Sequence, residues 1–394
     1  MIKEMNYDTV IAGCGVSGLF AALHLEPAEK ILMICKEDLE SCDSMLAQGG
    51  ICVMRDENDY DSFFEDTMKA GHYENRKESV DIMLRSSRDV INQLIDYGVD
   101  FNRNEDGSLN YTKEGAHAKP RICFHEDLTG KEITTKLQNA VKKLPNVEIM
   151  EYTEMTDIIV EDDVCKGIIA KAQDGTELHI HAKDTVLATG GIGGLYEHST
   201  NFPSLTGDGV RISRDHGVEM EHLDYVQIHP TTLYTEKPGR SFLITESVRG
   251  EGGILLNSKG ERFVNELLPR DVVTKAIHEE MEKEGSKYVR LSFENIPTEE
   301  IETHFPNILK KCLEEGYDIR KEPIPVVPAQ HYFMGGIHVN SDSATTMPHL
   351  YAVGETSCNG VHGKNRLASN SLLESLVFGE RAAKKITSDR KEER

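Results

Sequence analysis

The first residues that could do chemistry form a glycine turn near the N-terminus. Gly13, Gly15 and Gly18 follow a β-rich run, Tyr7 to Ala12, in the spacing G-x-G-x-x-G. The first glycine of such a turn permits a tight bend, the second lets backbone approach a pyrophosphate, and the third lets helix and strand pack closely. The helix that follows directs its positive N-terminus at the phosphates. The spacing predicts a dinucleotide site, although the motif alone also fits a close-packed turn without a ligand.

The end of the second predicted strand leaves the identity of the nucleotide open. Dinucleotide-binding folds usually place an acidic residue there to bind the ribose hydroxyls. This chain has Cys35 and Lys36 at that point, and Glu37 comes one position late. Because Lys36 could pair with a 2′-phosphate, the residues here also allow NADP.

Two further strands break into glycines and favour a longer cofactor. One ends in Thr189 and Gly190, and the other, Leu350 to Val353, is followed by Gly354 and Glu355. An acidic residue at the carboxyl end of a strand is well placed to accept hydroxyl groups of a ribose or ribityl chain. Three strand ends that return to one crevice suit FAD better than a single nicotinamide nucleotide. Taken singly, the last two segments could also be simple turns.

The elements that must position these turns indicate an α/β fold. A strand, a helix and a second strand open the chain. A run of short strands between residues 147 and 187, the last two over residues 176–181 and 185–187, is typical of a β-meander inserted into a larger α/β domain. Apolar residues at helical spacing predict helices over residues 79–97, 134–143, 269–283 and 299–316. The charged residues 389–394 are predicted to fray.

The composition limits the function further. A chain of 394 residues exceeds one hydrophobic core, so two domains are expected. The formal net charge of -23 repels nucleic acid and anionic membrane surfaces. No apolar run approaches the roughly 20 residues of a membrane span and no signal core precedes the first strand, which predicts a cytoplasmic protein. The eight scattered cysteines indicate neither a metal site nor a disulfide framework.

Several longer motifs resemble the succinate dehydrogenase/fumarate reductase flavoprotein superfamily. They occur in one order over nearly the whole chain and comprise residues 47–50 (AQGG), 229–231 (HPT), 245–253 (TESVRGEGG), 269–271 (PRD), 331–336 (HYFMGG) and 365–372 (NRLASNSL). The resemblance implies a Rossmann-like FAD-binding domain, residues 1–224 and 331–394, interrupted by a mobile α+β capping domain, residues 225–330. Members usually continue into a C-terminal helical domain, which the resemblance suggests is absent here because the sequence ends at Arg394.

The resemblance also implies roles for individual residues. FAD is expected on Gly13, Cys14, Gly15, Val16, Ser17, Gly18, Lys36, Asp43, Ser44, Met45, Leu46, Ala47, Gln48, Gly49, Gly50, Thr189, Gly190, Asp208, Glu355, Ser371 and Leu372. A dicarboxylate substrate is expected on His229, Thr245, Glu246, His331 and Arg366, with Glu114 orienting an ammonium group. Lys36 then contacts FAD, which weakens the NADP interpretation.

Arg270 resembles the superfamily's proton-transfer arginine. An arginine side chain, whose ordinary pKa is above about 12, is a poor base at neutral pH. Arg270 would therefore need a relay of Glu or His neighbours, or would instead stabilise developing negative charge. Without the resemblance, an arginine after proline at a helix start would more often form a surface ion pair.

Two residues separate the branches of the superfamily. Asp43 stands where the membrane-associated members carry a histidine bonded to the flavin, so FAD is expected to bind non-covalently. Glu114 suits an ammonium-bearing substrate. The resemblance thus implies oxidation of L-aspartate to iminoaspartate, flavin reoxidation by dioxygen or fumarate, and supply of quinolinate synthase for NAD biosynthesis. A soluble fumarate reductase and a flavin-binding module without turnover are the alternatives.

Overall fold

The larger of two main sheets is built around the N-terminal strand. In the computed structural model, which describes residues 2–237 and 239–392, the strands in chain order are β1 (Ile2–Ala12), β2 (Ile31–Ile34), β3 (Ile51–Cys52), β4 (Ile122–Cys123), β5 (Val147–Met150), β6 (Glu154–Glu161), β7 (Val164–Lys171), β8 (Glu177–Leu187), β9 (Met220–Glu221), β10 (Val226–Leu233), β11 (Phe242–Leu243), β12 (Ile254–Leu256), β13 (Val289–Ser292), β14 (Ile324–Phe333), β15 (Gly336–His338), β16 (Leu350–Ala352) and β17 (Ser357–Cys358).

The helices connect these strands and cover the sheets. In chain order they are α1 (Val16–His24), α2 (Tyr60–Ala70), α3 (Lys77–Asp96), α4 (Thr129–Val141), α5 (Asp208–Asp215), α6 (Glu246–Gly250), α7 (Arg270–Glu284), α8 (Thr298–His304), α9 (Pro306–Glu314) and α10 (Asn370–Glu392). Short 3-10 turns occupy residues 43–46, 57–59, 193–195 and 354–356. No helix among the described residues is long and apolar enough to cross a membrane.

The seven-stranded sheet has the order β5-β2-β1-β8-β7-β6, and β16 also pairs with β8. Strands β1, β2, β5, β8 and β16 pair with one another in parallel, so their carboxyl ends lie at one edge. Helices α1, α3, α4 and α10 cover one face, where Leu19, Phe20, Leu137 and Phe378 are buried. The chain therefore has the mixed α/β fold that the sequence predicts.

The predicted β-meander is present, but it comprises only β6, β7 and β8, and β8 also pairs with β1 in the larger sheet. β6, β7 and β8 pair antiparallel in sequence order, whereas β5 pairs parallel with β2. The two strands predicted over residues 176–181 and 185–187 are one strand, β8, which alternates between exposed and buried residues in its outer half and is fully buried from Asp184 on. Because β8 pairs with β1 along nearly its whole length, β8 continues without a break between the two predicted segments.

The predicted fraying of residues 389–394 is wrong for 389–392, while residues 393 and 394 lie outside the described part of the chain. α10 continues through Glu392 because Arg390 is buried. Its guanidinium forms ion pairs with Glu29 at 2.7 Å and with Asp184 at 2.5 Å. These carboxylates hold the end of the helix on the sheet.

A separate five-stranded sheet has the order β11-β10-β14-β13-β12, and every pairing in it is antiparallel. It has its own core, in which Ile277 of α7, Ile301 of α8 and Ile308 of α9 pack with Leu291 and Ile324 of the strands. The last strand, β14, runs to Phe333 and so continues past residue 330 toward the larger sheet.

Candidate active site

One cavity lies between the carboxyl edge of the seven-stranded sheet and the five-stranded sheet. Its volume is about 1680 Å³ including the space open to solvent. Its lining includes the turn after β1, residues 34–50, the ends of β8 and β16, and residues of α6, α7 and α10. The cavity is thus long enough for an extended cofactor and a second small molecule.

The glycine turn has the geometry that its spacing predicts. Gly13 has φ +118°, and a Cβ there would lie 2.0 Å from the carbonyl oxygen of Ala188. A Cβ on Gly18 would lie 2.4 Å from the carbonyl oxygen of Gly13, so this glycine serves the packing of α1 on β1 and does not line the cavity. Gly15 caps α1, and the neighbouring Val16 N–H donates to Ser44 Oγ at 3.1 Å.

Lys36 lines the cavity, but its charge is already matched. Its ammonium lies 3.0 Å from Asp208 Oδ2 and 3.2 Å from Glu154 Oε1. Burial acts to lower the pKa of Lys36, but the hydrogen bond and charge of Asp208, together with Glu154, raise it above its ordinary value. A lysine held by two carboxylates is a poor partner for a 2′-phosphate, which removes the main reason to consider NADP.

The segment from Asp43 to Gly50 forms another part of the wall and carries free polar atoms. Asp43 Oδ1 accepts the Phe202 N–H at 2.9 Å, while Asp43 Oδ2 and Gln48 Oε1 are buried without a protein partner. Burial raises the pKa of Asp43 to about 7. Buried polar atoms without partners are costly, so their position on the cavity wall fits a hydroxyl-rich and amide-rich cofactor such as FAD. Within this segment, Met45 is the residue that does not line the cavity.

The remaining predicted cofactor residues lie on the same wall. Thr189, Gly190, Asp208, Glu355, Ser371 and Leu372 all line the cavity. Glu355 accepts the Phe333 N–H at 2.8 Å, and burial raises the pKa of Glu355 to about 8. A Cβ on Gly191 would lie 2.2 Å from Glu355 Oε1, which explains the glycine at this crossing.

On the opposite wall, Arg270 belongs to a buried ionic chain. Its Nε donates to Glu246 Oε2 at 2.5 Å, and the same carboxylate oxygen lies 3.3 Å from Arg249. Burial alone would raise the pKa of Glu246, but the charges of Arg249 and Arg270 lower it. Arg270 also donates to Gln227 Oε1 at 2.8 Å. Arg270 is therefore a buried member of a network and not the surface ion pair that its sequence context alone suggests.

Arg366 is the second buried guanidinium of the predicted catalytic and substrate set that lines the cavity. It is buried, its Cζ lies 4.5 Å from the centre of the Tyr332 ring, and it donates to Ser371 Oγ at 2.8 Å. Its Nε has no protein partner. Burial, reinforced by the charge of Arg270, lowers the pKa of Arg366 to about 10. Two arginines that repel each other and retain a free donor are suited to an anion.

His229 and His331 contribute uncharged donors beside the arginines. Their rings meet edge to face with centroids 5.0 Å apart; His229 is buried and His331 is half-buried. Burial and the charge of Arg270 hold the pKa of each well below its ordinary value, so both rings are neutral at pH 7. His229 Nε2 has no protein partner, whereas His331 Nδ1 lies 2.7 Å from Thr200 Oγ1. Thr245 caps α6 and lines the cavity near them.

Glu114 is held by two serines at the junction of the two walls. It accepts Ser247 Oγ at 3.0 Å and also accepts the hydroxyl of Ser369. A Cβ on Gly49 would lie 2.2 Å from Glu114 Oε1, so the glycine makes room for this carboxyl group. Burial, with a smaller contribution from the charge of Glu246, raises the pKa of Glu114.

Sequence reasoning missed several residues that complete the site. Gln227 joins Arg270 to the backbone of Arg366, donating to that carbonyl at 2.8 Å. Arg240 lines the cavity near Asp43 and donates to the Thr200 carbonyl at 3.1 Å. Ser247 and Ser369 lie inside motifs that the sequence analysis identified, and their hydroxyl groups were the feature by which they could have been recognised as site residues. Arg240 stands in no such motif.

A dinucleotide-binding sheet that faces an arginine-rich and histidine-rich wall across one cavity defines a flavin-dependent oxidoreductase. The family model for the FAD binding domain matches residues 8–372. L-aspartate oxidases from Clostridium perfringens and Clostridium acetobutylicum are 52% and 50% identical to the chain, each over 97% of it and over 87% and 88% of their own lengths. The chain belongs to the L-aspartate oxidase family, a group of FAD-dependent oxidoreductases.

Solved structures agree with this assignment. The FrdA chain of E. coli quinol fumarate reductase superposes with a TM-score of 0.92 and is 32% identical, covering 98% of this chain and 70% of its own length. The superfamily and the FAD cofactor predicted from the motifs are thereby confirmed.

Proposed function

We propose that the protein oxidises L-aspartate to iminoaspartate with non-covalently bound FAD. The observation that carries the proposal is the set of groups around one cavity. Arg366 Nε and His229 Nε2 have no hydrogen-bond partner in the protein, and Glu114 adds a buried carboxyl group. An amino dicarboxylate has the complementary set of two carboxylates and one ammonium. The names of the relatives at 50% and 52% identity support the same substrate.

Arg366 and the neutral histidines would hold the substrate carboxylates. Paired charge-assisted hydrogen bonds from a guanidinium fix a carboxylate in orientation as well as position. His229, His331 and Thr245 supply further donors, and Glu114 would orient the ammonium. Fixing both ends of a four-carbon substrate aligns its reacting C–H bond, an effect that contributes up to about 7–11 kcal/mol in ideal intramolecular cases.

Arg270 would act with its neighbours and not alone. Its 2.5 Å contact to Glu246 and the link from Glu246 to Arg249 form a continuous ionic chain that could move a proton at the substrate. The alternative role of Arg270, stabilisation of developing negative charge, uses the same position. Glu246 would therefore support Arg270 in either role and not bind the substrate ammonium.

The residues expected from the resemblance to hold FAD fit it. Gly13, Gly15 and the start of α1 would receive the pyrophosphate, and Glu355 and Asp43 would face hydroxyl and ring atoms. Asp43 has no nitrogen that could bond to the flavin, which supports non-covalent binding. When bound, FAD would accept the hydride and pass its electrons to dioxygen or to fumarate.

The five-stranded sheet with α6 to α9 would be the capping domain, residues 225–330, and residues 1–224 and 331–394 would form the FAD-binding domain. The separate hydrophobic core of the five-stranded sheet supports this division.

We also propose that the iminoaspartate passes to quinolinate synthase for NAD biosynthesis. The cytoplasm, where the eight cysteines would stay reduced, is the proposed compartment.

Anaerobic mixing of the FAD-loaded protein with L-aspartate tests the proposal. Bleaching of the flavin within minutes, with oxaloacetate and ammonia formed on hydrolysis of the product, is the expected result. Rapid fumarate reduction by a low-potential dye together with indifference to aspartate would instead favour a fumarate reductase. Tight dicarboxylate binding without flavin reduction would indicate a binding module.

A further inference from the structure

A second, smaller cavity adjoins the main one on the side of Glu114. Its volume is about 220 Å³ including the space open to solvent, and it shares Gln48, Gly49 and Thr245 with the main cavity. Its interior has room for about one ordered water molecule. The polar residues Thr112, Ser247 and Glu251 also line it, so a water there would find the two to four partners it needs.

Ser247 joins the inner end of this cavity to the main site. Its hydroxyl donates to Glu114 Oε1 at 3.0 Å, and Glu114 lines the main cavity. Ser247 itself is buried and lines the smaller cavity. A hydroxyl that both donates and accepts can pass a proton from the carboxyl group on one side to a water on the other.

An ion pair closes the outer end. His304 Nδ1 lies 2.9 Å from Glu251 Oε2, and Thr112 Oγ1 donates to Glu251 Oε1 at 3.3 Å. The side chain of His304 is 31% exposed, whereas that of Glu251 is 17% exposed, so the pair reaches from the cavity to solvent. The hydrogen bond to Glu251 raises the pKa of His304 against the effect of burial.

Other groups surround this histidine. Glu300 of α8 adds a negative charge, the Phe124 and Phe305 rings pack on His304, and Glu126 and Asp127 line the same cavity. A histidine among carboxyl groups at a partly exposed position is a suitable exchange point between a buried path and bulk water.

We infer that Ser247, Glu251 and His304 form a route by which a proton from the substrate ammonium, taken up at Glu114, reaches solvent. The inference rests on the proposed function. Oxidation of an amino acid to its imine breaks one C–H bond, whose hydrogen and electron pair leave as hydride to the cofactor, and one N–H bond, whose proton must leave separately. The electron pair of that N–H bond forms the C=N double bond. The proton would pass from Glu114 through Ser247 and the cavity to Glu251 and His304.

These three residues would act through Glu114 and not on the substrate directly. The path shares no member with the Arg270, Glu246 and Arg249 chain. Its residues also come from two parts of the molecule, since Thr112 and Glu114 belong to the segment between α3 and β4 while the others lie on α6, beside it and on α8.

Anaerobic rapid mixing of the FAD-loaded protein with L-aspartate in weak buffer, with a pH-indicator dye, tests the route. Flavin bleaching and proton release are followed together. We expect Glu251→Gln, His304→Gln and Ser247→Ala each to slow proton release by at least about tenfold, a modest part of what proton-transfer groups contribute. The affinities of Glu251→Gln and His304→Gln for FAD and L-aspartate should stay within about twofold of wild type, and imidazole should partly restore release in His304→Gln.

His278→Gln and Glu279→Gln serve as matched controls, because both residues are exposed on α7 beside the same sheet. If wild type bleaches normally and the Glu251 and His304 variants release the proton as fast as these controls, the proton route is wrong, while the proposed function stands. Wild type that fails to bleach would instead overturn the proposed function. If one of the three variants no longer binds FAD, the other two still test the route, because the three residues occupy separate positions.

Discussion

Among single residues, we expect Glu114 to decide which dicarboxylate the cavity favours. It is buried and held by Ser247 and Ser369, so its carboxyl group has a fixed position. Glu114→Gln keeps the size of the side chain and removes its charge. We predict that the variant binds L-aspartate at least about tenfold more weakly, because an ammonium loses its charged partner, while fumarate binding changes by less than about threefold. Titration of the oxidised flavin spectrum measures both, and equal weakening of the two ligands would refute the assignment.

The two arginines are expected to fail in different ways. Arg270→Leu should keep FAD but lower kcat at least about 100-fold, because it interrupts the chain to Glu246. Arg366→Leu should raise the dissociation constant of dicarboxylates at least about tenfold, because a buried guanidinium with a free Nε is lost. Steady-state kinetics with binding titrations separates these effects. Wild-type turnover in Arg270→Leu would remove that residue from the mechanism.

The sequence could predict the residues that stand in dense motifs, and it could not predict their partners. Arg270 and Arg366 were identifiable because long ordered motifs surround them, and the structure brings both to one cavity wall. Gln227 reaches Arg270 and Arg240 reaches the cavity only through the pairing of β10 with β11 and β14, which places Gln227 opposite Tyr332. Such contacts depend on tertiary packing, which a local motif does not encode.

At the scale of elements, we expect the turn between β1 and α1 to be the part of the proposed cofactor site that tolerates substitution least. Gly13→Ala would place a Cβ 2.0 Å from the Ala188 carbonyl oxygen at a φ of +118°. We predict at least about a tenfold loss of FAD affinity, because the turn must shift to relieve the clash. Fluorescence titration of the apoprotein with FAD measures it.

Gly175→Ala is the matched control for this substitution. Gly175 also has a positive φ, +84°, but lies in the turn between β7 and β8, where a methyl group added to its Cα would have no other atom within 4 Å. The control should cost stability of about 1–2 kcal/mol and leave FAD affinity unchanged. FAD binding by Gly13→Ala as tight as that of the control would contradict the placement of the cofactor on this turn.

Helix α10 carries a buried acid that should make stability depend on pH. Burial raises the pKa of Glu374 to about 7, above the ordinary value of about 4.3 in an unfolded chain. The folded state therefore binds this proton more tightly, so its stabilising contribution is complete below about pH 4 and is lost as the pH rises through about 7. The loss is on the order of 3 kcal/mol.

Urea unfolding at several pH values and a fixed FAD concentration measures this effect. In Glu374→Gln, the free energy of unfolding should fall less between about pH 5 and pH 8 than in wild type, because the amide does not titrate. The same pH dependence in both proteins would exclude Glu374 as its source.

Element types were more predictable than element limits. The apolar spacing over residues 79–97 predicted α3, which the structure places at Lys77–Asp96. The short strands of the meander were harder, since β8 is one strand whose inner half is buried on both faces and so shows no alternation. The end of α10 depends on Arg390 meeting Glu29 and Asp184, which are distant in sequence.

Over the whole molecule, a strongly acidic chain concentrates positive charge at one internal wall. The net charge is -23, yet the buried Arg270 and Arg366 line one cavity, and the buried Arg249 lies behind them against Glu246. The two sheets are also tied together outside the site, because Asp127 accepts the Ile308 N–H at 2.8 Å and the Asn307 side chain at 2.7 Å at the start of α9. We therefore expect an anionic substrate to bind in the cavity between the two sheets.

The comparison of L-aspartate with succinate as reductants of the FAD-loaded protein tests this assignment most directly. The two substrates share both carboxylates and differ in the ammonium group that Glu114 would bind. Under anaerobic rapid mixing at equal concentrations, L-aspartate should bleach the flavin at least about tenfold faster than succinate, because a site built for a polar group rejects an analogue that lacks it. Equal rates, or faster bleaching by succinate, would contradict the proposed oxidation of aspartate.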